Sequence, residues 1–201
     1  PRHLVLLIRN LYEDQRANVK VGGARTDWFK IGKGVRQGCI LSPYLFNIMS
    51  EVLMRMALDG FEGGFKIGGL RVTNLRYADD IVLIASSKEE LQELVGRLNA
   101  AAQQLSMKIN VAKTEIMVVG EKDESLVISI DGTPLKYAPS FKYLGSLFRD
   151  DASGVEEVRA RLSKARSRMG ELKLLWKSHD ISTATKARVI QTLVWPILTY
   201  G

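Results

Sequence analysis

The stretch Leu75-Arg76-Tyr77-Ala78-Asp79-Asp80-Ile81-Val82-Leu83-Ile84 sets two adjacent carboxylates in the middle of a β-favouring apolar run. Leucine, tyrosine, isoleucine and valine read as a buried strand, and Ala78-Asp79-Asp80 supplies the polar break of a tight hairpin. Side chains alternate sides along a strand, so a turn is one of the few places where neighbouring carboxylates converge. Two acids pressed together beside apolar walls repel, and a divalent cation between them relieves the repulsion. Carboxylate-only coordination favours Mg²⁺ or Mn²⁺ over zinc. Asp-Asp is also common in solvated turns, so the pair alone raises a metal-dependent phosphoryl-transfer site without settling it.

Composition narrows the chemistry. With 46% hydrophobic and 25% charged residues in 201, the chain has the balance of a folded globular protein. A net charge of +7 permits a polyanionic partner. One cysteine, Cys39, excludes an internal disulfide, and His3 and His179 are too few for a Cys/His zinc cluster. Oxygen ligands are left to carry any metal. No apolar stretch is long enough to span a membrane, and the first residues lack a basic-then-apolar signal pattern. The chain opens on Pro1, from which a piece of a longer protein is expected.

Periodicity predicts an amphipathic helix through Leu4, Leu7, Ile8 and Leu11, and a hairpin joining Val19-Lys20-Val21 to Trp28-Phe29-Lys30-Ile31 with one face buried. Asp27 reads as a turn acid. In residues 34–47, Gly34 and Gly38 bracket Arg36-Gln37, and Ser42-Pro43 supplies an N-cap and a proline for a helix running to about Leu58. Leu45, Ile48, Met49, Val52, Leu53 and Met56 are its expected apolar face. Glycines let backbone approach a ligand, and Arg36 and Gln37 offer donors to a phosphate or a base edge. A second hairpin, Phe65-Lys66-Ile67 with Leu70-Arg71-Val72, feeds the strand that carries Tyr77.

Ser87-Lys88-Glu89-Glu90 has capping-box spacing ahead of Leu91, Leu94, Val95, Leu98, Ala102 and Leu105. Lys113 precedes an expected strand from Ile116 to Val119 and reads, on spacing, as a surface lysine. Ile128 to Ile130 with the Asp131-Gly132 turn, and Phe141 to Phe148, complete the β content. From Asp151 the composition shifts. Val155, Val158, Leu162, Ala165, Met169 and Leu172 mark a helix whose other positions carry Arg159, Arg161, Lys164, Arg166, Arg168, Lys173 and Lys177. A second helix runs from about Ser182 to Trp195-Pro196. The expected fold class is α+β, an antiparallel sheet with helices on one face.

The loop of residues 34–47, the Tyr77-Ala78-Asp79-Asp80 hairpin, the Asn110 to Thr114 segment and Tyr143-Leu144-Gly145 occur in the order seen in reverse transcriptases. Gly-Val-Arg-Gln-Gly-Cys-x-Leu-Ser-Pro-x-Leu-Phe-Asn resembles the non-LTR (LINE-type) retrotransposon branch; a group II intron-type maturase shares the hairpin but fits this wording less well. The resemblance covers most of the chain. It implies a polymerase palm over residues 1–150, with fingers and the first catalytic strand missing, and the start of a helical thumb over 151–201.

It also implies roles. Asp79 and Asp80 would be the catalytic and metal-binding acids, with Mg²⁺ or Mn²⁺ as cofactor. Arg36, Gln37 and Gly38 would meet the incoming nucleotide and template base, and Lys113 the triphosphate. Tyr143, Leu144 and Gly145 would hold the primer terminus, and Arg161, Lys164 and Arg168 the nucleic-acid backbone. Implied partners are an RNA template, a DNA primer, deoxynucleoside triphosphates and the rest of the polymerase; the implied location is nucleus or cytoplasm. The implied reaction is two-metal nucleotidyl transfer by an RNA-directed DNA polymerase. The chain departs from that family, whose members carry a third essential aspartate on a preceding strand, an aromatic-containing helix after it, and finger residues that grip the triphosphate: Asp14 and Asp27 are the only aspartates upstream of the loop, and neither sits in an apolar strand. The expectation is therefore a fragment inactive by itself, with a non-catalytic nucleic-acid-binding remnant as the alternative.

Overall fold

The computed structural model describes residues 1–120 and 126–200. Gly201, the last residue of the expected thumb segment, lies outside them.

In chain order, helix α1 (Arg2–Tyr12) leads to β1 (Arg16–Ala17), β2 (Lys20–Val21), β3 (Ala24–Arg25) and β4 (Phe29–Lys30). Here the predicted hairpin is corrected. Val21 pairs with Ala24 across Gly22-Gly23, while Phe29 and Lys30 pair with Ala17 and Arg16. The local Gly-Gly turn takes the nearest partner and leaves Phe29 to a more distant strand. No face of this element is buried; Val21 and Trp28 are exposed. Helix α1 forms as expected, yet Leu4 and Leu7 are exposed and no residue of it is buried.

Helix α2 (Ser42–Leu58) is followed by β5 (Phe65–Ile67), β6 (Leu70–Val72), β7 (Asn74–Tyr77), β8 (Asp80–Leu83) and helix α3 (Lys88–Gln104). The β5–β6 and β7–β8 hairpins form as read. Ser87 caps α3 by accepting from the Glu90 amide at 3.2 Å. The reciprocal half of the capping box is absent: the Glu90 carboxylate accepts from the amides of Ser86 (2.9 Å) and Gly64 (3.3 Å), tying α3 to the entry of β5.

The core lies on α3. Leu98, Ala101 and Ala102 pack on Leu53, Met54 and Ala57 of α2, with Ile81 and Leu83 of β8 laid against the seam. The α2 face is therefore turned relative to expectation: Leu53 is buried, but Ile48, Met49, Val52 and Met56 are exposed. Apolar residues line α2 on nearly every side, and α3 covers only the stripe carrying Met54 and Ala57. A second cluster joins Val95 of α3 to Ile116, Ile128 and Ile130. Burial of each such side chain contributes about 1.5–3 kcal/mol, so α3, which serves both clusters, holds the two halves together.

Beyond α3, a 3₁₀ turn (Val111–Lys113) precedes β9 (Glu115–Ile116), β10 (Ser129–Ile130), β11 (Thr133–Pro134), β12 (Lys136–Tyr137), β13 (Ser140–Tyr143) and β14 (Ser146–Arg149). The strand expected to reach Val119 stops at Ile116 and pairs in parallel with β12. Six antiparallel ladders and this parallel one are each two-stranded among the described residues. The α+β mixture is as expected, but the strands form separate short ladders instead of one antiparallel sheet.

Helices α4 (Val155–Glu171), α5 (Lys173–Lys177), α6 (Thr183–Val189) and α7 (Trp195–Thr199), with a π turn at Ile190–Val194, complete the chain. The single helix expected from Val155 to Lys177 breaks at Leu172, where the Trp176 indole donates to the Met169 carbonyl (2.8 Å) and satisfies an acceptor of the last turn of α4. Of the predicted apolar positions on α4, Ala165 is buried and Val155, Val158 and Leu162 are exposed.

Candidate active site

The glycine-bracketed loop is folded onto the end of α1 by Ser42 and Arg36. Ser42 does not cap α2: it is the first helical residue, and its hydroxyl donates to the Arg36 carbonyl while lying 3.3 Å from the Tyr12 hydroxyl. The Arg36 guanidinium donates to the Leu11 carbonyl at 2.9 Å and sits 5.9 Å from the centre of the Tyr12 ring. Arg36 is thus committed to shaping the loop, and Gln37 is left exposed beside it. Gly38 has φ +79°, with open space where a Cβ would be. Backbone conformation, not crowding, demands glycine there. The Cys39 thiol is lowered below its usual range, chiefly by a backbone hydrogen bond from Leu41 and then by its Ser42 and Tyr12 neighbours.

The second wall is the β7–β8 hairpin. Its register pairs Arg76 with Ile81 and Tyr77 with Asp80, which leaves Ala78-Asp79 as the turn. Ala78 has φ 53°, a left-handed conformation that costs a non-glycine residue about 1 kcal/mol or more. Directly paired residues share a face, so the alternation is decisive. Ile81 and Leu83 go down onto α2 and α3, while Tyr77 and Asp80 are carried to the opposite, open face. Arg76 reaches down to Glu51 of α2 at 2.9 Å. Hydrogen bonds from Arg55 and then Arg76 hold the Glu51 carboxyl below its ordinary range.

The two walls flank an open cavity of about 950 Å³, lined by loop residues 35–40, by Ser42, Pro43, Phe46, Asn47 and Ser50 of α2, and by Arg76, Tyr77 and Ala78. Arg36, Gln37 and Gly38 all line it; Lys113 does not. A volume of this order suits a ligand of nucleotide size. The lining positions on α2 were not singled out from sequence, although Pro43, Phe46, Asn47 and Ser50 repeat at three- and four-residue spacing, the signature of a helical stripe.

Asp79, in the turn, and Asp80, the first residue of β8, do not line the cavity, and no group of three or more acidic, histidine or cysteine side chains suited to a metal ion occurs among the described residues. Asp14 is ion-paired with Lys30 at 2.8 Å. Two-ion centres draw carboxylates from separate elements to bridge ions about 3.5–4 Å apart. This donor set does not fit such a centre unaided.

The other predicted residues are dispersed. Lys113 ends the 3₁₀ turn, its amide accepted by the Asn110 carboxamide at 3.3 Å and its side chain exposed. Tyr143 closes β13, and Leu144-Gly145 is a two-residue turn with φ 48° and 88°. On α4, Lys164 is exposed and Arg168 pairs with Glu171 at 2.6 Å. Arg161 is placed differently from both: 11% exposed, it is ion-paired with Glu157 and donates to the Gly145 carbonyl.

Comparison with known proteins gives these features a family. Residues 1–148 match the family described as reverse transcriptase (RNA-dependent DNA polymerase). The chain is 27% identical over 162 positions to the Retrovirus-related Pol polyprotein from type-1 retrotransposable element R2 of Nasonia vitripennis, covering 73% of this chain and 16% of that protein. It is 24% identical over 207 positions to the RNA-directed DNA polymerase from mobile element jockey of Drosophila funebris, covering 98% of this chain and 22% of that protein. With the Transposon TX1 uncharacterized 149 kDa protein of Xenopus laevis it shares 27% identity over 199 positions, 93% of this chain and 14% of that protein. The chain spans less than a quarter of each of these relatives. It belongs to the reverse transcriptase family, on the non-LTR retrotransposon branch.

Proposed function

We propose that this chain is part of the polymerising core of a non-LTR retrotransposon RNA-directed DNA polymerase, with residues 1–150 as palm and 151–201 as the beginning of the thumb. One observation carries the reading: the Arg36-Gln37-Gly38 loop and the Tyr77-Ala78 end of the β7–β8 hairpin, some forty residues apart in sequence, line a single nucleotide-sized cavity. Loop backbone and the Gln37 side chain then meet the incoming deoxynucleoside triphosphate and its template base, while Arg36 keeps the loop in shape. Lys113 serves the triphosphate from outside the cavity wall. The β13–β14 turn holds the primer terminus. Exposed basic residues of α4, Lys164 foremost, track the RNA–DNA backbone, and contacts of that kind recognise A-form shape without reading sequence.

Asp79 and Asp80 would be this chain's contribution to a Mg²⁺ or Mn²⁺ centre, which once completed would supply Lewis-acid stabilisation for nucleotidyl transfer. A third carboxylate must come from another element. The isolated chain therefore binds hybrid and does not extend it. Mg²⁺-dependent extension of a DNA primer on an RNA template, run beside Asp79→Ala/Asp80→Ala, tests this. The expected result is hybrid binding without extension by either. Extension by the parent alone would refute the incomplete centre, and loss of hybrid binding by the parent would refute the polymerase-core reading.

A further inference from the structure

The β13–β14 turn is held from behind by a closed ring of side chains. Both of its carbonyls are taken by strong donors: Leu144 by the Tyr200 hydroxyl at 2.6 Å and Gly145 by the Arg161 guanidinium at 2.7 Å. Two residues further on, the Leu147 amide donates to the Glu157 carboxylate at 3.0 Å. The ring closes because Glu157 is ion-paired with Arg161 one helical turn away, and the Arg161 guanidinium lies 4.7 Å from the centre of the Tyr200 ring. Charge-assisted hydrogen bonds of this kind are about twice as strong as neutral ones. These braces come from α4 and from the residue after α7, 16 and 56 positions distant in sequence. A two-residue turn with both φ values positive normally points its carbonyls at water. This one has neither free.

The basic stripe on α4 thus divides into two kinds of residue. Lys164 and Arg166 are exposed, whereas Arg161 is mostly buried and has two donors engaged inside the chain. Only a planar fork reaches Glu157 and the Gly145 carbonyl together, so a lysine at 161 would keep the charge and lose the geometry.

We infer that Arg161, Glu157 and Tyr200 are positioning residues that lock the Leu144-Gly145 turn to α4, so that the turn and the basic helix move as one body on a bound hybrid. The inference rests on the assignment of that turn to the primer terminus made above. Its direct reporter is the Leu147 amide. Hydrogen exchange at Leu147 is measured in the parent chain, Arg161→Gln, Arg161→Lys and Tyr200→Phe. Each protein is also bound to an RNA–DNA hybrid carrying 2-aminopurine at the primer 3′ end or at the far end of the primer.

Both Arg161 variants are expected to exchange Leu147 roughly several-fold faster, because Glu157, which accepts from that amide, loses the ion pair that aims its carboxylate. All three variants change the primer-terminal fluorescence, while far-end fluorescence and hybrid affinity stay within about twofold of the parent, since the exposed phosphate contacts are kept. Unchanged Leu147 exchange in Arg161→Gln overturns the brace. Exchange and fluorescence of Arg161→Lys matching the parent reduce Arg161 to a simple charge and overturn the fork argument. Faster exchange with an unaltered primer-terminal signal overturns the positioning role. Should the parent fail to bind hybrid, the primer assignment fails instead, and exchange alone still decides whether the brace exists.

Discussion

Met54→Ala and Met49→Ala remove the same atoms from the same helix five residues apart, and the structure assigns them very different costs. Met54 is 1% exposed in the seam between α2 and α3, against Leu98, Ala101 and Ala102, whereas Met49 is 41% exposed. Truncating a fully buried Met, Leu or Ile side chain costs about 2–5 kcal/mol, because transfer and cavity terms add. For Met54 about 3 kcal/mol is expected. Met49 already keeps much of its surface in water and leaves no enclosed cavity, so about 1 kcal/mol or less follows. With a urea slope of about 2–3 kcal/mol/M for a chain of this size, Met54→Ala lowers the unfolding midpoint by about 1–1.5 M and Met49→Ala by a few tenths. Circular dichroism at 222 nm and tryptophan fluorescence both report the transition. Equal losses for the two variants, or a larger loss for Met49→Ala, would refute the seam and restore the face expected from sequence.

Three other outcomes are expected. Asp79→Asn leaves hybrid binding intact and weakens Mn²⁺ binding measured by titration; unaltered Mn²⁺ affinity would remove the hairpin as a metal ligand. Lys164→Gln with Arg168→Gln lowers the slope of log K against log salt for hybrid binding by about 1–2, since each phosphate contact contributes about 0.7–0.9, whereas Arg161→Gln leaves that slope as it was; identical slopes for all of them would remove α4 from the interface. Amide hydrogen bonds from Ser86 and then Gly64 hold the Glu90 carboxyl below its ordinary value of 4.5. The folded value is the depressed one, so the stabilisation is full above pH 4.5 and is lost as the pH falls below it. Melting temperature against pH should therefore drop less steeply on the acid side in Glu90→Gln, and parallel acid limbs would contradict the assignment.

Where local signals were sufficient, the fold was legible. The hairpin of Phe65 to Val72 is closed by a two-residue turn whose neighbours match their pairing partners, and the β content expected over Phe141 to Phe148 lies within the pair β13–β14. Leu94, Val95, Leu98 and Ala102 were readable as the core face of α3, because polar residues occupy its other sides and one stripe satisfies the period. Helix α2 offered no such contrast: with Met54 and Ala57 as apolar as Ile48 and Val52, periodicity names several faces and only the packing of α3 selects one. Phe29 could pair with either flank of its loop, and a non-local strand decided it. Arg161 shows the same limit in the candidate site. A guanidinium on a basic helix looks like a phosphate contact in sequence, and only the position of the Gly145 carbonyl reveals that it is used internally.

The cavity depends on packing some distance from any residue that would touch a nucleotide. One wall is the loop pinned by Arg36 and Ser42 at the start of α2; the other is the β7–β8 turn. Their spacing is set by α2, which anchors the hairpin twice, through the Arg76–Glu51 ion pair and through Ile81 and Leu83 on the Met54 seam. The ion pair is partly exposed, and such pairs contribute about 1 kcal/mol at most. Ile81 and Leu83, both partly buried on the seam, each contribute a large part of the ~1.5–3 kcal/mol of a full burial. Burial must therefore dominate the placement of Ala78 and Asp79 relative to Gly38. It also explains why a strained Ala78 persists: Ile81 and Leu83 fix the register of β8, and slipping by one residue to relax the turn would carry both into water and drive Asp80 toward the core.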